Sequence, residues 1–201
     1  MAFETVPVVH VEAGRFPEYP GVDPERVLTQ LARRFGRVAL VDVEGVRRNE
    51  PQVEFLQAAS RRRSLWVDAG SRYATDAMDV FVAGADQVTL RWNTLRDARE
   101  LDEAAQLAQP GSLFLALEFP KGRFLPNPHD KRGPDAVVAL AQAAGVGVVH
   151  ILDAEPDLHA LPPGSDRWAQ GIPRRLAGQA QEMGFAGALL APAELPAEEP
   201  Q

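Results

Sequence analysis

Six short apolar, β-branched runs in this chain carry an ionisable side chain at their ends: His10 and Glu12, Asp42, Asp68, Arg91, Glu118, and then His150 with Asp153. Imidazoles and carboxylates move protons near neutral pH when their surroundings shift them, and a guanidinium grips carboxylate or phosphate in a bidentate fork. Gathered at one place, these groups would form an acid–base site with its own anion clamp. His10 and His150 are expected to face each other across it, with the carboxylates around them. Such a set also suits a divalent metal, but no tight ligand pair such as His-x-His is present, so no metal and no cofactor is assigned. A plain structural duty competes at Asp42 and Asp68, because short carboxylates cap the turn that follows them. Glu118 has less room for that reading, since a carboxylate closing a buried strand needs a partner or a job. His129 and His159 fall in proline-containing loops and are expected to face solvent. Lys121 is either an exposed lysine or a substrate clamp, and Trp92 either packing or a ligand platform.

The elements that must position these residues follow from periodicity. Near-continuous apolar runs suit strands covered on both faces, and their alternation with Ala-rich amphipathic stretches marks repeated βαβ units. Strands are expected at 6–12, 38–43, 65–67, 87–90, 113–117, 147–152 and 187–190, with a stunted one at 167–169. Asp23-Pro24 supplies a cap and a first-turn proline for a helix that stops at Gly36, and Glu50-Pro51 opens the next. Further helices are expected at 75–83, 97–108, 134–144 and 173–183. Arg61-Arg62-Arg63 closes the second helix at the negative end of its dipole, or forms an anion-binding patch. The fold this predicts is an α/β (β/α)8 TIM barrel, compact and partly degenerate in its C-terminal quarter: unit 6 is shortened, the last helix is missing, and 192–201 is a flexible tail. All the polar strand ends would then meet at the C-terminal rim, where such barrels keep their chemistry. The chain's first residues, a displaced segment or a second subunit must cover the thin side, and a homodimer is the favoured answer.

At 201 residues the chain reads as one domain, 1–201, with every loop lean. A formal charge of -7 argues against nucleic acid or an anionic membrane as partner, and leaves a small neutral or anionic metabolite held by a local basic group. Without cysteine there is no thiolate chemistry and no disulfide. No apolar run is long enough to span a bilayer and no secretory pattern opens the chain, so a cytoplasmic protein is expected.

The order of strand ends also resembles a known family. Val8-Val9-His10-Val11-Glu12-Ala13-Gly14, Val41 to Val46, Asn49-Glu50-Pro51-Gln52, Trp66 to Arg72, Leu90 to Leu95 and Leu117 to Arg123 are similar in sequence order to the motifs of the histidine-biosynthesis phosphoribosyl isomerase and cyclase. The similarity is stronger to their poorly characterised relatives in methanogens and methylotrophs, and it covers roughly 6–153. What the resemblance implies is an isomerase- or lyase-like barrel acting on a small phosphorylated or acidic metabolite, with a place in tetrahydromethanopterin-linked one-carbon metabolism. It puts His10 at the family's general base and Glu118 at its general acid, with Asp42 beside them. Phosphate would lie near Asp68, Gly70, Ser71, Arg72 and Arg91, with His150, Asp153 and Gly171 completing the ligand-facing rim. The chain departs from the family where Arg91-Trp92 replaces small residues, and where Pro192, which has no N–H to offer, stands in place of glycine. The alternative is a catalytically inactive barrel that serves as a binding or scaffold subunit.

Overall fold

The computed structural model describes residues 2–153, 157–162 and 166–196. Eight parallel strands close into a barrel in chain order: β1 Glu4–Val11, β2 Arg37–Asp42, β3 Ser64–Asp68, β4 Gln87–Arg91, β5 Leu113–Phe119, β6 Gly147–Leu152, β7 Arg167–Gln170 and β8 Gly187–Leu190. β1 begins ahead of its apolar run because Glu4 through Pro7 pair in register with Gly187 through Leu190, which closes the cylinder. The architecture is the (β/α)8 TIM barrel that the strand spacing implied.

The flanking helices are α1 Pro24–Phe35, α2 Val43–Arg48, α3 Val53–Ala59, α4 Ala74–Val82, α5 Arg99–Leu107, α6 Pro134–Ala143 and α7 Ala177–Glu182. α1 starts as its sequence dictates: the Asp23 side chain accepts the Glu25 N–H, Pro24 opens the first turn, and Gly36 ends it at φ 81. α2 is an extra element that the spacing did not foretell, and it exists because Asp42 caps it directly from the last position of β2. Among the described residues, unit 6 holds only a 3-10 turn, Leu158–Ala160, and β8 is followed by another, Pro192–Glu194.

Of the segment from 192 expected as a flexible tail, residues 192–196 are among those described. Glu194 accepts the Arg174 N–H at 2.8 Å, the Arg34 guanidinium donates to the Pro196 carbonyl, and Leu195 packs on the outer core. Cover for the side lacking a last helix therefore comes at least partly from the chain itself. Residues 197–201 and parts of the unit 6 loop lie outside the described residues.

Two apolar layers hold the barrel. Outside it, Val9, Leu40, Leu65, Leu90 and Leu115 meet Leu28, Leu56, Val80, Leu101 and Val137 of the helices. Inside it, Val6, Val8, Ala39, Val41, Phe114 and Val149 surround Trp66 and Trp168, whose rings meet edge to face at 4.9 Å. Arg37 forms the floor: its guanidinium lies over both tryptophans and its Nε donates to Glu4 at 2.7 Å. The aromatic rings fill the lower barrel, and the polar strand ends gather at the upper rim.

Candidate active site

Side chains alternate along each strand, so the residues two places beyond the inner core layer also point inward at the mouth. These are His10 beyond Val8, Asp68 beyond Trp66, Arg91 beyond Thr89, Glu118 beyond Ala116, and Gln170 beyond Trp168. The structure joins three of them into one chain. Arg91 Nε donates to Asp68 Oδ2 at 2.8 Å and its terminal nitrogen to Glu118 Oε1 at 2.8 Å. The side chains are 7, 11 and 19% exposed for Asp68, Arg91 and Glu118 respectively. Burial pushes the Asp68 carboxyl up, and the neighbouring Glu118 charge adds to this against the opposing pull of Arg91. Burial also works against the Arg91 charge, but the two carboxylates outweigh it and hold the guanidinium protonated. Two carboxylates facing one guanidinium leave a surplus negative charge in the cluster, and Asp68, the more buried of the two, is the one pushed towards its protonated form.

His10 stands at the same mouth with its side chain 44% exposed. Its Nδ1 is 2.6 Å from Glu18 Oε1, which also accepts the His10 backbone N–H at 3.0 Å. With Nδ1 engaged by Glu18, the other ring nitrogen, Nε2, is left for another partner, and among the described residues it has no hydrogen bond. Burial tends to raise the Glu18 carboxyl, but the His10 hydrogen bonds outweigh it and hold the group below the usual range. Glu18 was not visible from the sequence: it sits in the loop between Pro17 and Pro20, and only the loop's path brings it under the imidazole.

The turn that sets this loop is itself anchored. The Ala13 N–H donates to Glu44 at 2.9 Å and the Gly14 N–H to Gln52 Oε1 at 2.7 Å. Gln52 in turn donates its side-chain amide to Asp42 and Glu44, and its backbone N–H to Asp42 at 2.6 Å. Asp42 is thus corrected from a catalytic candidate to the hub of a structural network. Its position on β2 has outward parity, it is fully buried, and both oxygens are occupied by Gly45 and Gln52.

Other expected site residues are also displaced. His150 does not face His10: its parity on β6 turns it outward, where it is fully buried between Phe119 and Phe185 with neither ring nitrogen hydrogen-bonded. Burial, helped by the charge of Arg167, lowers its pKa to about 3, so it is neutral. Gly70 offers no phosphate cradle. Its N–H donates to Asp68 at 3.2 Å, and at φ 66 its Cα lies so close to α2 that an added Cβ would meet the Val46 Cα at 2.4 Å. Gly171 likewise serves close packing, since a Cβ there would meet the Leu152 carbonyl at 2.2 Å. Asp153 is exposed and accepts the Lys121 N–H, away from the trio. Ser71 is buried with its hydroxyl unpartnered, and Trp92 is packed in the outer core.

Arg72 remains available at the rim. With Arg96, His129, Asn93 and Thr94 it lines a cavity of about 330 Å³ that has no acidic side chain in its wall. The wall is built by Asn127, which is buried and donates to the carbonyls of Trp92 and Leu95 at 2.7 Å while accepting the His129 N–H at 2.7 Å. The first N–H groups of the α4 region are already taken by Asp76 and Glu100, so side chains rather than the helix end would grip an anion. Arg96, His129 and Asn127 carried no motif that singled them out. Among the described residues no group of three or more His, Asp or Glu side chains has metal-holding geometry, and no helix is long and apolar enough to cross a membrane. No family model matches the chain, and no curated protein is significantly similar to it.

Proposed function

We propose that this barrel is an isomerase- or lyase-type enzyme that moves protons on a small phosphorylated or acidic metabolite. The observation that carries the reading is the buried Asp68–Arg91–Glu118 chain at the C-terminal mouth. Burying three charges contributes little to stability compared with an apolar isostere, and strand ends at this rim are where barrels of this kind place reacting groups. His10, oriented by Glu18, removes a proton from the carbon next to a carbonyl or imine through Nε2. Glu118 delivers a proton to the electronegative atom that gains the electron pair, and Arg91 offsets the charge that develops there. Arg72 and Arg96 hold the metabolite's anionic end in the adjoining cavity. The strand-end resemblance to phosphoribosyl isomerases supports the same class, and extends the proposal to a cytoplasmic enzyme of tetrahydromethanopterin-linked one-carbon metabolism.

A thermal-shift screen of phosphorylated sugars, aminoaldoses and short carboxylates tests this. A ligand at about 100 times its Kd stabilises by about 2.7 kcal/mol, a rise of roughly 5–10 °C for a domain of this size. With a substrate in hand, Glu118→Gln and His10→Asn are each expected to lower kcat by roughly 10²–10⁴-fold without unfolding the barrel; full turnover in Glu118→Gln removes that residue from the mechanism. A second reading, an inactive binding or scaffold subunit, is favoured by one feature: the rim glycines Gly70 and Gly171 serve backbone packing, and Pro192 has no N–H. The absence of any thermal shift across the screen would support it.

A further inference from the structure

The opposite face of the barrel carries a separate charged concavity. At the N-terminal ends of β2 and β3, the last turn of α1 and the α3–β3 turn enclose about 710 Å³, lined by Arg33, Arg61, Arg62 and Arg63 together with Thr29 and Ser64. A volume of that order suits a ligand of nucleotide size. The one acidic residue in the lining, Glu25, is taken by Arg63, which also donates to Thr29 Oγ1 at 2.9 Å and to the Ala59 carbonyl at 3.1 Å. Arg63 is therefore the fixed floor of the groove, with its side chain 9% exposed. Arg33, Arg61 and Arg62 form no ion pair among the described residues. The C-termini of α1 and α3 lie here too, each equivalent to about half a negative charge, and together they offset about one of the arginines. Roughly two positive charges remain uncompensated in one groove of a chain whose net charge is -7.

Arg62 adds a second observation. It sits at φ 63, a left-handed conformation that glycine adopts at ease and a branchless long side chain does not favour. Complementing a helix dipole needs a positive charge somewhere in the last turn but gives no reason to place arginine at that strained position. From the groove, its charge surplus and this placement, we infer that the N-terminal face holds a binding site for a small oligophosphate, the di- or triphosphate group of a metabolite. It is independent of the chemistry at the mouth. Guanidinium forks from Arg33, Arg61 and Arg62 would take the phosphate oxygens, and the Thr29 and Ser64 hydroxyls lie in the same wall.

Titration calorimetry of the full chain with inorganic tripolyphosphate in low-salt buffer tests the site. The expected result is one site per chain whose affinity falls as salt rises. Arg62→Gly is the informative variant, because it removes the charge while relieving the backbone: binding should weaken roughly tenfold or more while Tm stays level or rises. Arg33→Ala with Arg61→Ala should weaken it further, and Arg72→Ala, on the opposite face, should leave it unchanged. No binding to the unaltered chain overturns the inference. So does binding that survives Arg62→Gly and the double variant, or binding that Arg72→Ala abolishes, which would put the phosphates at the mouth.

Discussion

The two ends of the barrel interior are built from the same strands and by the same alternation, yet they behave oppositely. The lower tier is Trp66, Phe114 and Trp168 in ring contact, with Arg37 stacked beneath them. Nearer the mouth, at the ends of β3, β4 and β5, the interior becomes Asp68, Arg91 and Glu118, linked at 2.8 Å. Dispersion and area burial make the lower tier strongly stabilising, whereas the upper tier sets charge attraction against desolvation and roughly balances. The barrel can therefore hold charges at its mouth because its floor supplies the stability. Outside the strands, the same contrast separates Asp42, satisfied on both oxygens, from His150, satisfied on neither nitrogen.

The largest effect expected from breaking this contrast is at the floor. Trp66→Ala removes a ring that is 1% exposed and donates its indole N–H to Thr89 at 2.7 Å, so it should cost about 3–5 kcal/mol in a denaturant titration. A loss below about 1 kcal/mol would mean that the ring does not organise the interior. Arg91→Met strands two buried carboxylates and should cost about 3–5 kcal/mol near neutral pH. Because Asp68 is already pushed up, it protonates more readily in the variant; the loss should therefore shrink as pH falls, and a pH-independent loss would contradict the coupling. Replacing all three as Asp68→Asn, Arg91→Met and Glu118→Gln should cost much less than Arg91→Met alone.

His150→Leu sharpens the outer-layer contrast. In the folded chain the imidazole titrates at about 3 against an ordinary 6.5, so on acidification the unfolded chain takes up the proton first. The parent should lose about 1.4 kcal/mol per pH unit between those values, and the variant should lack that slope while being no less stable at pH above 7. Equal pH profiles for the two would place another group behind the acid loss. The smallest effect is expected for Gln52→Ala, about 1–2 kcal/mol from the lost side-chain hydrogen bonds. Its diagnostic readout is a larger fall in kcat than in stability, since the Ala13-Gly14 turn leads to Glu18.

Much of the barrel was legible because strands buried on both faces leave a dense apolar signature and their punctuation by Gly, Pro and capping residues is local. Asp23-Pro24 and Gly36 bracket α1 for reasons confined to a few residues. The site was only partly legible. Asp68, Arg91 and Glu118 were recognisable as polar strand ends, but strand parity separates them from Asp42 and His150, and one position along a strand moves a side chain from the mouth to the outer layer. Asp42 showed both of its possible duties in the sequence, and the structure gives the capping one. Glu18, Gln52, Arg96 and Asn127 act through loop paths that no short-range pattern encodes.

By itself, then, the order of residues determined that eight short strands, six of them carrying ionisable groups at their ends, would alternate with amphipathic segments, because periodicity and capping are properties of neighbours in the chain. Which of those groups meet was decided only by tertiary closure. Barrel shear and loop trajectory set distances between residues dozens of positions apart, and a charge's partner, exposure and proton affinity depend on those distances alone.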